Sequence, residues 1–339
     1  GSEMCIRDSY KMNDMKGKQG LVCMGLLLVL SSCSCHTGKQ ITASGLQRKD
    51  FQTEVNGQHT DLFTLSNKQG MEVCITNYGA RVVSILVPDR NGKREDVVCG
   101  FSTITEYMEQ RQNFGSTVGR YIGRILNARF TLDGVEYKLV PNNGKSGHIS
   151  HGGNPGFADR IWKVEQADTH RVRLSYLSPD GENGFPGNLK VTLVYSLGED
   201  DNALDLTYEA TTDAPTVLNL SHHSFFNISG NFTKSVEDQQ LWVDADRFTP
   251  YDDKKCVTGE YLPVAGTPLD FRMPHTIGEC IDADHPQLKV VNGYDHTWEL
   301  NTKGDDTRPA AWVYDPASGR KMEIFTTEPG MQIYTGNGL

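Results

Sequence analysis

From about residue 51 to the end, apolar and polar residues take turns in short stretches, and Gly, Pro, Asn or Asp closes almost every stretch. Alternation with a period of two is what a strand with one buried face requires, because successive side chains point to opposite faces. Residues 71–75 and 81–87 flank the turn Asn77-Tyr78-Gly79. Residues 130–139 form two alternating arms around Asp133-Gly134, the strongest short-range signal for a hairpin. Residues 171–176, 189–197 and 204–209 alternate too, with the turn Pro179-Asp180-Gly181 between the first two, and residues 312–314, 322–325 and 331–334 add strands. Helical periodicity is scarce; the best candidate is a turn or two over residues 104–110. No fixed-period repeat marks a propeller or solenoid. The pattern predicts one all-β domain over residues 51–339, a sandwich or barrel.

The 339 residues carry 37% apolar side chains, enough for a large core, and a formal net charge of −10. An acidic chain without a basic cluster excludes non-specific nucleic-acid binding. It says little about a small-molecule substrate.

Residues 1–14 are polar and without period. Met15-Lys16-Gly17-Lys18, an apolar run over 21–30 and Leu30-Ser31-Ser32-Cys33 follow, the layout of a secretory signal too short to span a bilayer. The L-S-S-C ending resembles a bacterial lipobox, which makes Cys33 the lipidated first residue of an exported chain, periplasmic or held at the outer membrane by that anchor alone. Residues 1–32 are therefore expected to lie outside the fold, as non-native leader plus signal peptide, and 33–50 to be a tether. The eight cysteines contain no C-x-x-C pair, which argues against a zinc site. Cys74 and Cys99 sit in apolar runs and read as small buried hydrophobes.

Asn219 to Asn227 read N-L-S-H-H-S-F-F-N. Histidine alone has an unperturbed pKa close to neutrality, so it can give or take a proton at working pH. In an extended chain His222 and His223 must face opposite sides. One belongs to a site, and Phe225 shares the face of His223; a pair of structural histidines is the competing reading. Gly119-Arg120-Tyr121-Ile122-Gly123-Arg124 sets two arginines among glycines, suited to multidentate hydrogen bonding of an oxygen-rich ligand. Ser150-His151-Gly152-Gly153 lets a backbone come close to a ligand. In Gly293-Tyr294-Asp295-His296 the carboxylate can accept two hydroxyl hydrogen bonds. In the segment Thr326 to Asn337, Glu328 or Gln332 can point at a ligand. Asp252-Asp253 and residues 282–284 offer oxygens to Ca²⁺, but the spacing matches no calcium loop.

In this order, R-Y-I-G-R-I, H-G-G, G-F-P-G-N-L, N-L-S-H-H-S-F-F-N, Y-D-H and E-P-G-M-Q-I-Y-T-G-N, the segments resemble the aldose 1-epimerase (galactose mutarotase) family, over residue 51 to the last. The resemblance implies a large antiparallel β-sandwich with the sugar in a cleft on one sheet. It implies His223 as general acid, with Arg124, His151 and Asp295 holding sugar hydroxyls. It also implies Gly123, Ser224 and Phe225 as substrate contacts beside the acid, and Glu328 near the substrate. Gly123 occupies a position where many members carry Asn. The family's general base is a glutamate on a strand beyond T-G-N, and no residue before Leu339 matches it. That leads to the expectation of missing C-terminal strands and weak activity of the chain as written. No cofactor is required, and the expected partner is a free aldohexose such as galactose or glucose, bound by a monomer. The alternative is a non-catalytic sugar-binding sandwich. An epimerase for a hexose 6-phosphate is a third reading, against which the export signal weighs.

Overall fold

The computed structural model describes residues 2–12 and 40–339. The signal-like segment and Cys33 lie outside the described residues.

The architecture is a β-sandwich. Its long layer is a nine-stranded sheet in the order Lys163–Ala167, Arg171–Ser178, Leu189–Leu197, Ala203–Thr212, Ser2–Met12, Arg320–Thr326, Ala311–Tyr314, Gln240–Val243, His275–Thr276. Two four-stranded sheets oppose it. Leu62–Ser66, Glu72–Thr76, Arg81–Pro88 and Arg94–Asp96 form one; Leu262–Pro263, Arg247–Thr249, Asp295–Glu299 and Gly330–Tyr334 form the other. One core joins Val73, Ile75, Val82 and Ile85 to Leu174, Val191, Leu193 and Leu206 of the long sheet. A second joins Phe248, Trp298 and Leu300 to Leu241, Val243 and Ala311. Each aliphatic side chain fully buried here contributes about 1.5–3 kcal/mol.

Local chemistry explains the individual elements. Leu132 pairs directly with Val135, so Asp133 and Gly134 alone make the turn, both at positive φ (50° and 79°), as a two-residue hairpin that matches strand twist requires. Strand Arg81–Pro88 is buried along nearly its whole length. Its second face is covered by Phe51, Ile104 and Tyr107, which accounts for its unbroken apolar run. Helix Ile104–Gln110 begins with a capping box, Thr103 accepting from the Glu106 amide while Glu106 reaches back, and ends at Arg111 in the left-handed region.

Two expectations about the N-terminal part are corrected. Ser2–Met12, read as lying outside the fold, is a strand parallel to both neighbours, Ala203–Thr212 and Arg320–Thr326. These two strands present rows of main-chain donors and acceptors across a gap one strand wide. Main-chain pairing makes little demand on side-chain pattern, so a segment without amphipathic period fits there. Residues 40–50, read as tether, pack on the sandwich instead. Arg48 donates to Asp61 at 2.7 Å, the Ala43 amide donates to Glu72 at 2.6 Å, and Phe51 is wholly buried. Cys74 is buried and Cys99 half-buried, and both carry free thiols.

Candidate active site

The segment after Leu220 pairs only briefly, Ser221–His222 against Thr117–Val118, but its side chains alternate throughout. His222 turns inward: its Nε2 is 2.6 Å from Ser224 Oγ and its Nδ1 3.5 Å from the Tyr195 hydroxyl. His223 turns the other way. Its ring centroid lies 5.1 Å from that of Phe225 and 5.4 Å from that of His151. Ser224, carried with His222 by the same alternation, therefore backs the buried histidine, and its expected place beside the sugar is not what the structure shows. The main chain of His223 is held on both sides: its amide donates to Ser116 O at 2.9 Å, and its carbonyl accepts from the Gly115 amide at 3.0 Å.

His151 stands at the end of the short strand Ile149–Ser150, which pairs with Arg124–Ile125. The Gly123 amide donates to His151 Nδ1 at 3.3 Å, and the His151 amide donates to Gly123 O at 2.9 Å. Gly123 thus serves through its backbone. With Nδ1 accepting, the neutral ring carries its proton on Nε2 and is a fixed donor. Burial, then the charges of His223 and Arg124, push the His151 imidazole down to about 3, so it is neutral at working pH. Burial first, and the positive charge of Arg81, also lower the His223 pKa, against a raising hydrogen bond to its own backbone. The charged neighbour acting on His223 is a guanidinium and not a carboxylate.

The far wall comes from the second small sheet. Asp295 begins strand Asp295–Glu299 and pairs with Tyr334, whose ring lies 5.7 Å from Phe225. Gln332 Nε2 donates to Asp295 Oδ1 at 2.7 Å and to the Tyr251 hydroxyl at 3.3 Å. Burial raises the Asp295 pKa, while Gln332, Arg124 and Lys255 pull it down. Arg124 also donates to the Lys255 carbonyl at 3.1 Å, tying the 250–257 loop to the site. Glu328 is not brought into this cluster. The ladder pairs Glu299 with Gly330 and Asp295 with Tyr334, so Glu328 lies in the bend before the strand, past the end away from Asp295. Gln332 takes the position beside Asp295. Tyr251 was missed because a lone tyrosine in an acidic turn carries no sequence signal.

A separate groove of about 610 Å³ runs past Gln52, Glu54, His59, Asp61 and Val164; none of its residues belongs to the histidine cluster. Among the described residues no group of three or more His, Cys, Asp or Glu side chains is placed to hold a metal ion.

The arrangement joins a titratable imidazole, a fixed N–H donor, an arginine, and a carboxylate braced by an amide, all beside the aromatic faces of Phe225, Tyr334 and Tyr251. Apolar ring faces with a few convergent polar groups suit a polyhydroxylated ring. Comparison with known proteins decides the family. The aldose 1-epimerase family model matches residues 61–339. The chain belongs to the aldose 1-epimerase family. It is 39% identical to a galactose mutarotase from Sus scrofa over 82% of this chain and 78% of that one. It is 36% identical to an aldose 1-epimerase from Escherichia coli K12 over 84% and 81%. Among solved structures, a galactose 1-epimerase from Lactobacillus acidophilus NCFM superposes with a TM-score of 0.74 at 30% identity, covering 85% of this chain and 82% of that one. An aldose epimerase homologue from C. elegans gives 0.75 at 31%, with 83% of each chain covered. The aldose 1-epimerase fold is thus that of the sandwich described above.

Proposed function

We propose that the protein is an isomerase that interconverts the α and β anomers of free aldohexoses, galactose and glucose foremost, by acid–base ring opening. The observation that carries this reading is the His223–His151 pair, 5.4 Å apart, facing the Asp295–Gln332–Arg124 group. In the forward direction a base takes the proton of the C1 hydroxyl and His223 delivers one to the ring oxygen. The bond between C1 and the ring oxygen breaks, the aldehyde rotates about C1–C2, and the ring closes on its other face as both protons return. Each proton transfer contributes about 10²–10⁴-fold. His151 Nε2–H, Arg124, Gln332 and Asp295 hold hydroxyls and fix the ring relative to His223. Family resemblance assigns the base to a glutamate. Asp295, bonded to Gln332 and within the field of Arg124, is suited to holding hydroxyls instead. The exchange moves no hydride or electron pair off the sugar, so the chemistry asks for no cofactor.

Optical-rotation kinetics with fresh α-D-glucose and α-D-galactose test the proposal. Acceleration over buffer supports the enzyme; binding seen by calorimetry without acceleration supports the sugar-binding sandwich. A monomer exported with Cys33 as its lipidated first residue is also proposed, the anchor being read from the Met15-to-Cys33 pattern; cleavage before Cys33 removes Ser2–Met12, so that strand belongs to the unprocessed chain. Mass spectrometry of the membrane-fraction protein tests it: an unmodified chain spanning Leu30-Ser31-Ser32-Cys33 would refute it.

A further inference from the structure

Arg81 opens the strand Arg81–Pro88 and is 1% exposed. Its guanidinium donates only to main-chain carbonyls: Nη1 to Gln112 O at 2.8 Å and Phe114 O at 3.1 Å, Nη2 to Ala158 O at 2.8 Å. Nε is buried without a partner. Tyr107 and Tyr78 lie 4.9 and 5.4 Å from its central carbon. Among the described residues no carboxylate forms a salt bridge with it; the acid whose field reaches it is Asp159. A buried cation without an ionic partner costs stability that a well-packed apolar side chain would not, so its presence here calls for a reason beyond packing.

The acceptors give that reason. Gln112 and Phe114 belong to the turn whose next two residues, Gly115 and Ser116, make both main-chain hydrogen bonds of His223. The Phe114 ring meets Phe225 edge-on at 5.1 Å, and Phe225 stands beside His223. Ala158 belongs to the turn Phe157–Asp159 that ends the loop begun by His151. The turn has no slack against the strand: a Cβ on Gly115 would lie 1.8 Å from Val82 O. One forked side chain therefore ties the turn that holds the His223 main chain to the segment that begins with His151.

We propose that Arg81 is a positioning residue of this site: its guanidinium locks the 112–116 and 151–159 segments so that His223 and His151 face each other, and it keeps a fixed positive charge behind His223. The proposal rests on the anomerisation reading but goes beyond it, to a side chain that does not touch the sugar. The charged and titratable groups around His223 are Arg81 from its strand, His151 from the facing loop, His222 on its own segment, and Arg124 beyond His151. Arg81 is the permanent charge acting directly on it.

Two variants separate position from charge. Arg81→Met removes both. Arg81→Lys keeps a charge but cannot reach three carbonyls in two directions as a planar fork does. In Arg81→Met, NMR is expected to show His223 titrating at higher pH than in the wild type, closer to an ordinary histidine, and kcat to fall about 10–100-fold with KM changed less than about threefold. In Arg81→Lys the titration should stay near wild type while kcat still falls. If Arg81→Met does not fold, Arg81→Lys alone decides, by the loss of kcat with His223 titration unmoved. An unchanged kcat and unchanged His223 titration in a folded variant overturns the proposal, as does a change confined to melting temperature. The NMR readout needs no turnover. Failure of the wild type to accelerate mutarotation would therefore sink the anomerisation reading without bearing on whether Arg81 sets the state of His223.

Discussion

The imidazoles of His151 and His223 meet edge to face, 5.4 Å between centroids and 88° between planes. One is neutral with a defined tautomer, fixed by Gly123; the other is the ring available for proton transfer. A pair built from two distant loops in this way separates binding from chemistry, and variants should divide along that line.

His223→Ala should slow polarimetric equilibration of α-D-galactose by about 10²–10⁴-fold while leaving the circular dichroism spectrum intact. An unchanged rate removes His223 from proton transfer.

Asp295→Asn and Gln332→Ala should raise KM several-fold with a smaller effect on kcat, because each holds the other and the hydroxyls beside it. Glu328→Gln should leave both constants within about twofold. A larger loss from Glu328→Gln than from Gln332→Ala would place the binding wall at the wrong end of the Gly330–Tyr334 strand.

Stability should fall as the solution is acidified below about pH 6.5. His151 and His222 are both pushed from the ordinary value of 6.5 down to about 3, chiefly by burial. Above 6.5 both are neutral folded or unfolded, and the folded state has its full stability. Below it the unfolded chain takes up protons that the folded one refuses, so stability is lost progressively towards about pH 3. Each pKa unit corresponds to about 1.4 kcal/mol. Asp96 and Asp295, raised by burial, act in the opposite sense and blunt the loss. Urea midpoints at pH 8, 6 and 5 check this; a midpoint that rises from pH 8 to pH 5 would contradict it.

Gly152→Ala should cost several kcal/mol and disturb His151. Gly152 has a φ of +79°, and an added Cβ would lie 1.9 Å from the Gly119 carbonyl oxygen, so the backbone itself must move. A melting temperature and kcat equal to wild type would show that the loop tolerates the shift.

Local patterns were legible where local forces decide. The Asp133-Gly134 turn and helix Ile104–Gln110 are set by backbone preference and capping within a few residues. Alternation placed His223 with Phe225, and the same rule, applied one residue on, puts Ser224 with His222. Glu328 and Gln332 could not be told apart in the chain, because only the pairing register with Asp295–Glu299 says which end of the strand meets the site.

The amino-acid order on its own determined the all-β class, most strand positions and the family, since periodicity and short motifs are properties of neighbours in the chain. Folding in three dimensions decided the rest. It inserted Ser2–Met12 between two strands that needed main-chain partners and packed residues 40–51 onto the first small sheet. It also buried Arg81 behind His223, where carbonyls from turns more than thirty and more than seventy residues away converge on one guanidinium. No linear pattern records such a contact, because its energy depends on distance in space and on the dielectric around it, and both exist only once the chain has closed on itself.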